Sequence, residues 1–228
     1  NFQKMAEAPL SANAKKWLRP YQKQGVNWLH FLQHFNFGGI LADDMGLGKT
    51  FQALFFIEQL QSPKPVLVIC PTSVVWNWQS EINKVVPHFK TVIWSGANRE
   101  KLFGKLKGAT VILTTYTLLR RDIEKLSQLE YSYVVLDEAQ NIKNALSQTA
   151  KAAKRLNCEN RLALTGTPIE NHLSELWSIF DFLMPGFLGT QNDFHESYLN
   201  PIERMQNEAA AKSLRKKIAP FVLRRLKK

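Results

Sequence analysis

The stretch ILADDMGLGKT, residues 40–50, joins an apolar run to a predicted helix through a glycine-rich loop. Its second half, Gly48-Lys49-Thr50, matches the end of a phosphate-binding loop, whose pattern is Gly, four residues and Gly-Lys-Ser/Thr. The position of the first glycine holds Asp43. The stretch therefore predicts a nucleotide loop with a variant entrance, the alternative being a chance Gly-Lys-Thr at the start of an unrelated helix.

The residue types inside the loop suit a phosphate cradle. Gly46 and Gly48, on either side of Leu47, allow positive φ and a close approach of the backbone to phosphate oxygens. Lys49 is expected to reach the β- and γ-phosphates, and Thr50 to offer its hydroxyl to Mg²⁺. Backbone N–H groups at the start of the following helix would complete the cradle.

Short apolar, β-branched runs alternate with amphipathic segments along the whole chain. The runs cover residues 38–42, 65–71, 91–96, 110–116, 133–138 and 161–167. They are apolar at both odd and even positions, which is typical of parallel strands covered on both faces by helices. Two segments between them place apolar residues on one helical face: Val75, Trp78, Ile82 and Val85 in the first, and Leu173, Leu176, Trp177, Phe180 and Leu183 in the second. This order predicts an α/β fold with a doubly wound, mainly parallel sheet.

Polar residues follow five of the six predicted strands. They are Asp43–Thr50, Pro71-Thr72-Ser73, Thr114-Thr115-Tyr116, Asp137-Glu138 and Thr165-Gly166-Thr167. Because ligands of such sheets bind beyond the carboxyl ends of the strands, we expect all five groups at one edge.

Asp137 and Glu138 end the apolar strand YVVLDE. A buried pair of adjacent carboxylates is costly unless a cation or a chemical task explains it. With a phosphate loop present, Asp137 is expected to hold Mg²⁺ through water and Glu138 to polarise the attacking water. A solvent-facing Asp-Glu turn is the alternative.

Composition sets broader limits. The 228 residues, 45% hydrophobic and 21% charged, suffice for one sizeable α/β domain or two small ones. Cys70 and Cys158 stand 88 positions apart with no cysteine or histidine cluster around them, which argues against a disulfide framework or metal site and fits a reducing cytosol. No apolar run reaches membrane-spanning length, and the first residues lack a signal peptide's apolar core. Since the chain starts at Asn1 without methionine, we expect a piece of a longer protein.

Basic charge is concentrated in residues 214–228, which carry seven Lys or Arg and no acid. The whole chain has a formal net charge of +11, so residues 1–213 have a net charge of +4. Such a segment indicates either a solvated tail or contact with a polyanion, most often nucleic acid.

The ordered set of motifs resembles the first RecA-like lobe of Swi/Snf-type ATPases, which are double-stranded DNA translocases of the second helicase superfamily. The matching segments are LRPYQKQGVNWL, ILADDMGLGKT, PTSVVWNW, TTY, LDEAQNIKN, LTGTPIENHLSELWSIFDFL and PFVLRR. The resemblance covers nearly the whole chain, and DEAQ is more similar to bacterial members, since eukaryotic remodellers usually have Gly-His in place of Ala-Gln. Asp at position 43 is usual in that family, whereas Asp44 departs from its more common Glu.

The resemblance implies a role for each motif. Gln22 would read the adenine edge; residues 43–50 would bind ATP and Mg²⁺; Asp137 would position the metal, and Glu138 would be the catalytic base. Thr165, Gly166 and Thr167 would couple nucleotide state to lobe movement. Thr72, Ser73, Thr114, Thr115 and Tyr116 would face the DNA backbone. The alternatives are an ordinary helical position for Gln22, a helix cap for Ser73, and a plain strand-to-helix turn at Thr165–Thr167. Trp78 is expected in the core, and Trp76 is left undecided between core packing and base stacking.

The same resemblance implies an organisation for the whole molecule. Residues 1–16 would be a leader, 17–213 the ATP-binding lobe, and 214–228 a basic lobe edge connecting to a second lobe. The partners implied are double-stranded DNA and that lobe, without a membrane, in the nucleoid of a bacterial cytoplasm. The family's arginine fingers come from the second lobe, and no Gln-x-x-Gly-Arg segment occurs in these 228 residues. We therefore expect weak ATP binding and near-background hydrolysis by this chain alone.

Three other functions are alternatives to the translocase. RNA helicases usually carry Ser-Ala-Thr where this chain has Thr165-Gly166-Thr167, and they differ in the following helix. A nucleotide-dependent switch or scaffold would not need the base Glu138. A GTPase is disfavoured because no Asn-Lys-x-Asp guanine-binding motif is present.

Overall fold

A computed structural model describes residues 10–166 and 173–227. The strands are β1 (Gly39–Leu41), β2 (Val66–Cys70), β3 (Thr91–Ile93), β4 (Val111–Thr115), β5 (Glu130–Asp137), β6 (Asn157–Leu164) and β7 (Val222–Leu223). They form one sheet in the order β3-β4-β2-β5-β6-β1-β7, and every neighbouring pair is parallel. The predicted α/β class with a doubly wound, mainly parallel sheet is confirmed.

Helices connect the strands and surround the sheet. They are α1 (Ala12–Trp17), α2 (Pro20–His34), α3 (Lys49–Glu58), α4 (Val75–Val85), α5 (Phe103–Leu106), α6 (Tyr116–Leu126), α7 (Gln148–Lys154), α8 (Leu173–Leu183), α9 (Gln191–Phe194), α10 (Asn200–Met205) and α11 (Glu208–Ile218). The two predicted amphipathic segments are α4 and α8, and all residues of their predicted apolar faces are buried. Within residues 10–166 and 173–227, no helix combines the length and apolarity needed to cross a bilayer.

The core lies on both sides of the central strands. Every residue of β1, β2 and β4 is buried. This agrees with their sequences, which are apolar at consecutive positions and so have no face suited to water.

Strand β7 was not predicted. It extends the sheet beside β1, pairing Ile40 with Val222 and Leu41 with Leu223. Leu214 and Ile218 of α11, just before it, are also buried. Part of the basic segment thus belongs to the body of the fold.

The strand order explains how the site is assembled. Strand β6 lies between β1 and β5. The loop after β1, the segment after β6 and the turn after β5 therefore meet at the carboxyl edge of three adjacent parallel strands.

Candidate nucleotide site

The predicted phosphate loop leads from β1 directly into α3. Gly46 and Gly48 have φ values of 84° and 74°, and Gly48 is the residue that precedes the first turn of α3. A side chain at Gly48 would also overlap the carboxamide of Gln22. The loop thus has the left-handed glycine turns and the helix start that an anion cradle requires.

Lys49 points back across the entrance of the loop. Its Nζ donates to the carbonyl oxygens of Asp43, at 2.7 Å, and Asp44, at 3.5 Å. Nζ also lies near Gly166, since a Cβ built at that glycine would be 3.6 Å from it. The ammonium group is therefore held between the loop and the segment after β6, where an incoming phosphate could replace the carbonyl contacts.

Gln22 and Tyr21 of α2 both contact the loop through one carbonyl. Gln22 Nε2 and Tyr21 Oη donate to the Leu47 carbonyl oxygen at 3.1 and 3.2 Å. Gln22 Oε1 accepts from the Arg19 backbone N–H at 2.9 Å, so both ends of this buried carboxamide have protein partners. The N-terminal end of α2 is thereby fixed to the phosphate loop.

An open cleft of about 470 Å³ adjoins this contact. It is lined by Arg19, Tyr21, Gly46, Leu47, Arg225, Leu226 and Lys227. The cleft is of the size of small-ligand sites and opens beside the phosphate loop.

Asp137 ends β5 as a buried carboxylate. Its Oδ2 accepts from Trp78 Nε1 at 2.8 Å, and its Oδ1 accepts from the Glu138 backbone N–H at 3.0 Å. Burial raises the pKa of Asp137 above its ordinary value and the charge of Glu138 raises it further, while the Trp78 hydrogen bond opposes the change. Trp78 is in the core as predicted, and in addition orients this carboxylate.

Glu138 turns away from the strand and joins a polar chain. Its backbone is left-handed, with φ 52° and ψ 59°. Its Oε2 accepts from Gln140 Nε2 at 2.9 Å, and Gln140 Oε1 accepts from Thr165 Oγ1 at 3.2 Å. Thr165 is buried and its backbone N–H donates to the Leu41 carbonyl oxygen at 3.1 Å. These hydrogen bonds connect the proposed base to the segment after β6. Thr167, the last predicted coupling residue, lies outside the described residues.

A third carboxylate, Glu81 of α4, adjoins the proposed metal position. Glu81 Oε2 is buried with no hydrogen-bond partner in the described part of the chain. Burial raises the pKa of Glu81 and the nearby charge of Asp137 raises it too, while the nearby Thr50 side chain favours the ionised form and so opposes the change. The Thr50 hydroxyl and two carboxylates, one with an unpartnered buried oxygen, fit Mg²⁺, which prefers oxygen ligands and usually takes only one or two from the protein.

Two predicted DNA-facing residues lie at the surface. Thr72 and Ser73 are exposed in a 3₁₀ turn at the carboxyl end of β2. Ser73 does not cap the next helix, because Val74 occupies that position and no side chain caps it. Trp76, undecided from the sequence, is 69% exposed on α4.

The other predicted DNA-facing residues have internal partners. Thr114, Thr115 and Tyr116 are buried. Thr114 Oγ1 donates to the Trp94 carbonyl oxygen, Thr115 Oγ1 caps α6, and Tyr116 Oη donates to the Asp137 carbonyl oxygen at 2.7 Å. Their side chains support neighbouring elements, and a DNA contact by this segment stays a prediction.

Sequence reasoning missed four residues of the site: Glu81, Gln140, Arg225 and Gln52. Glu81 stands three residues after Trp78, so both occupy one side of α4. That spacing alone does not show that α4 lies beside Thr50 and Asp137. Gln52 and Arg225 are 173 positions apart, and nothing in the sequence pairs them.

Comparison with known proteins gives one consistent family. Residues 21–228 match the SNF2-related domain. The chain is 44% identical, over 98% of its length, to the putative ATP-dependent helicase/translocase YwqA of Bacillus subtilis, and 41% identical, over 96%, to TATA-binding protein-associated factor mot1 of Schizosaccharomyces pombe. It is also similar to the Sulfolobus solfataricus SWI2/SNF2 ATPase core in complex with dsDNA, with 43% identity, a TM-score of 0.87 and 97% of the chain covered.

These matches cover only part of each relative. The chain spans 25% of the Bacillus protein, 12% of the Schizosaccharomyces protein and 46% of the Sulfolobus ATPase core. The resemblance seen in the sequence motifs is confirmed, with relatives in bacteria and in eukaryotes.

Proposed function

The chain belongs to the family of SNF2-related domains, and on that basis we propose that it is the first RecA-like lobe of an ATP-dependent translocase acting on double-stranded DNA. One observation carries the proposal: the phosphate loop, Asp137-Glu138 and Thr165-Gly166 meet at the carboxyl edge of β1, β5 and β6. This arrangement can bind a nucleotide triphosphate beside a positioned carboxylate.

The site residues have separate roles in binding ATP, holding the metal and activating water. Residues 43–50 hold the phosphates of ATP, and Thr50 with Asp137 would hold Mg²⁺, which supplies neutralisation of phosphate charge. Glu138, oriented by Gln140, orients and deprotonates the attacking water. Productive turnover needs an arginine from a second lobe, so this chain alone hydrolyses ATP near background.

DNA is the proposed polymer because the solved Sulfolobus ATPase core, 43% identical to this chain, is in complex with dsDNA. The exposed turn at Thr72-Ser73 is the surface we assign to the DNA backbone. Association with the nucleoid in a bacterial cytoplasm is part of the same proposal. An RNA helicase lobe and a switch without turnover are the competing functions.

ATP binding by this chain is the first test. A fluorescent ATP analogue should bind in the presence of Mg²⁺, and Lys49→Ala should weaken binding about tenfold or more because a phosphate-binding ammonium is lost. Lys105→Ala, which removes an equal charge in α5, is the matched control. Equal binding by the wild type and Lys49→Ala would contradict the nucleotide site.

Turnover of the full-length protein is the second part of the test. Duplex DNA should stimulate its ATPase activity, whereas RNA should not, and the 228-residue chain should stay near background. Glu138→Gln should keep ATP binding and lose roughly 10²- to 10⁴-fold in turnover. Stimulation by RNA alone would favour the helicase, and no stimulation by any nucleic acid would favour the switch.

A further inference from the structure

An ion pair between a fully buried carboxylate and a partly buried arginine lies beneath the entrance of the phosphate loop. Asp43, which replaces the first glycine of the loop pattern, is 0% exposed. Arg225, two residues after β7, donates from Nε to Asp43 Oδ1 at 2.9 Å and from Nη2 to Asp43 Oδ2. Two parallel hydrogen bonds of this kind fix both the position and the charge balance of a carboxylate.

Surrounding groups complete the hydrogen bonding of this pair. Gln52 Nε2 donates to Asp43 Oδ2 at 3.1 Å, and Gln52 Oε1 accepts from Arg225 Nη2 at 2.6 Å. Arg225 Nη1 donates to the Tyr21 carbonyl oxygen, and the guanidinium lies 5.1 Å from the centre of the Tyr21 ring. Gly25 of α2 leaves the space that the Gln52 carboxamide occupies. Arg225 thus joins α2, α3 and the loop in one network.

The backbone makes the same connection. The Ala42 N–H donates to the Leu223 carbonyl oxygen at 2.8 Å, and the Asp44 N–H donates to the Arg225 carbonyl oxygen at 3.0 Å. The chain after β7 therefore continues along the loop, with its backbone paired on both sides of Asp43.

The network balances the charge of Asp43 next to the proposed nucleotide site. A carboxylate without a partner at this depth would be strongly unfavourable, and its field would act on a triphosphate through a medium of low dielectric constant. Arg225 removes that penalty. Its guanidinium also lines the 470 Å³ cleft beside Gly46 and Leu47.

We propose that Arg225 is a positioning residue of the nucleotide loop. By neutralising Asp43 it allows a loop with a carboxylate at its entrance to accept the triphosphate. Because Arg225 lies two residues after β7, the pairing of β7 with β1 brings its guanidinium to Asp43. The inference rests on the proposed function, since it requires that this loop binds ATP.

The experiment measures the dissociation constant of a fluorescent ATP analogue with Mg²⁺ for variants of this chain. Arg225→Gln should raise the dissociation constant about tenfold or more, because the Asp43 carboxylate loses its partner. Arg225→Lys should lie between Arg225→Gln and the wild type, since lysine keeps the charge and loses the fork. Arg224→Gln, an equal charge change at the exposed neighbouring position, should change it less than about threefold.

The double variant Asp43→Asn, Arg225→Gln separates charge balance from structural support. It removes both charges and keeps two side chains that can hydrogen-bond, so ATP affinity should return to within about threefold of the wild type. Far-UV circular dichroism at the same temperature establishes that each variant compared is folded. If Arg225→Gln does not fold, the ATP-analogue affinities of Arg225→Lys and the double variant are compared with that of the wild type instead.

Two results would overturn the inference: equal affinities of Arg225→Gln and Arg224→Gln, or no recovery in the folded double variant. Absence of ATP binding by the wild type would contradict the proposed function instead.

Discussion

Glu138 has a backbone conformation that is rare outside glycine. Its φ of 52° places it in the left-handed region, directly after the last residue of β5. Such conformations cost roughly 1–3 kcal/mol and concentrate at functional positions. The turn separates the two adjacent carboxylates: Trp78 holds Asp137, and Gln140 holds Glu138. Two neighbours in sequence thereby gain two different environments, as separate metal-binding and proton-accepting roles require.

Glu81 provides a prediction for the metal requirement. Glu81→Gln keeps the size of the side chain but removes a carboxylate beside Thr50 and Asp137. Because outer partners of metal ligands usually contribute 10- to 100-fold to metal affinity, the Mg²⁺ concentration for half-maximal ATP binding should rise roughly tenfold. Titration of Mg²⁺ at fixed nucleotide analogue measures this, with Glu124→Gln on α6 as the control. An unchanged Mg²⁺ requirement would show that Glu81 does not serve the metal.

Among the elements, α6 shows how a buried charge shapes a helix. Asp122 interrupts its helical dihedral angles, with φ −112° and ψ 17°. The Asp122 carboxylate accepts from Arg99 Nε at 2.6 Å, from Arg99 Nη2 at 2.9 Å and from Trp94 Nε1 at 2.8 Å. The kink therefore turns this side chain to Arg99 and Trp94, both in the segment after β3.

The Arg99–Asp122 pair predicts a dependence of stability on pH. The Arg99 guanidinium, assisted by Trp94, holds the pKa of Asp122 below its ordinary value of about 3.9. The stabilisation is therefore fully present at pH values of about 5 and above, well above the unfolded-state pKa, and is lost as the pH falls through the lower pKa of the folded state. Asp122→Asn should lower the free energy of unfolding by about 3 kcal/mol at pH 7.

Urea denaturation at pH 7 and pH 3 measures this difference. The difference in unfolding free energy between wild type and Asp122→Asn should narrow at pH 3, because the carboxyl of the unfolded wild type is then mostly protonated, which favours unfolding. Glu124→Gln, an exposed ion-pair residue of the same helix, should cost under about 1 kcal/mol at pH 7. An equal difference in unfolding free energy at both pH values would mean that the charge of Asp122 does not contribute to stability.

Six of the seven strands found in residues 10–166 and 173–227 could be predicted, because each contains or adjoins an apolar run long enough to recognise. The exception, β7, has only two residues, Val222 and Leu223, and a strand that short has no period. Strand β5 begins at Glu130, three residues before the predicted run, because pairing with β6 extends past the apolar stretch. Pairing with a distant strand decides both the existence of β7 and the first residue of β5, and a local sequence pattern carries no information about that pairing.

The site was predictable only where neighbours in sequence act together. Gly48, Lys49 and Thr50 form a motif, and so do Asp137 and Glu138. The partners that orient them, Gln140 and Glu81, reach the site through the packing of α4 and the turn after β5. Arg225 was read from the sequence as part of a basic lobe edge, and its pairing with Asp43 depends on β7.

For the molecule as a whole, the basic balance predicts how it binds DNA. The net charge of +11 should make binding to duplex DNA depend on phosphate contacts, so affinity should fall steeply with salt, by a slope of about −0.9 per contact. Replacing the exposed Arg215 and Lys216 of α11 by Gln should reduce that slope by about 2 if both contact phosphate. Fluorescence anisotropy over a salt series measures the slope. A slope near zero would contradict phosphate-driven binding.

The position of β1 between β6 and β7 also has a consequence for biosynthesis. The three residues of β1 pair with strands that are made long after them, and Asp43 meets Arg225 only after 182 further residues have been added. At 5–20 residues per second, that interval is roughly 9–36 s. During the first part of it the loop after β1 lacks both neighbouring strands, and after residue 164 it still lacks β7. With the role proposed for Arg225, competence to bind ATP would be acquired only after β7 has been translated.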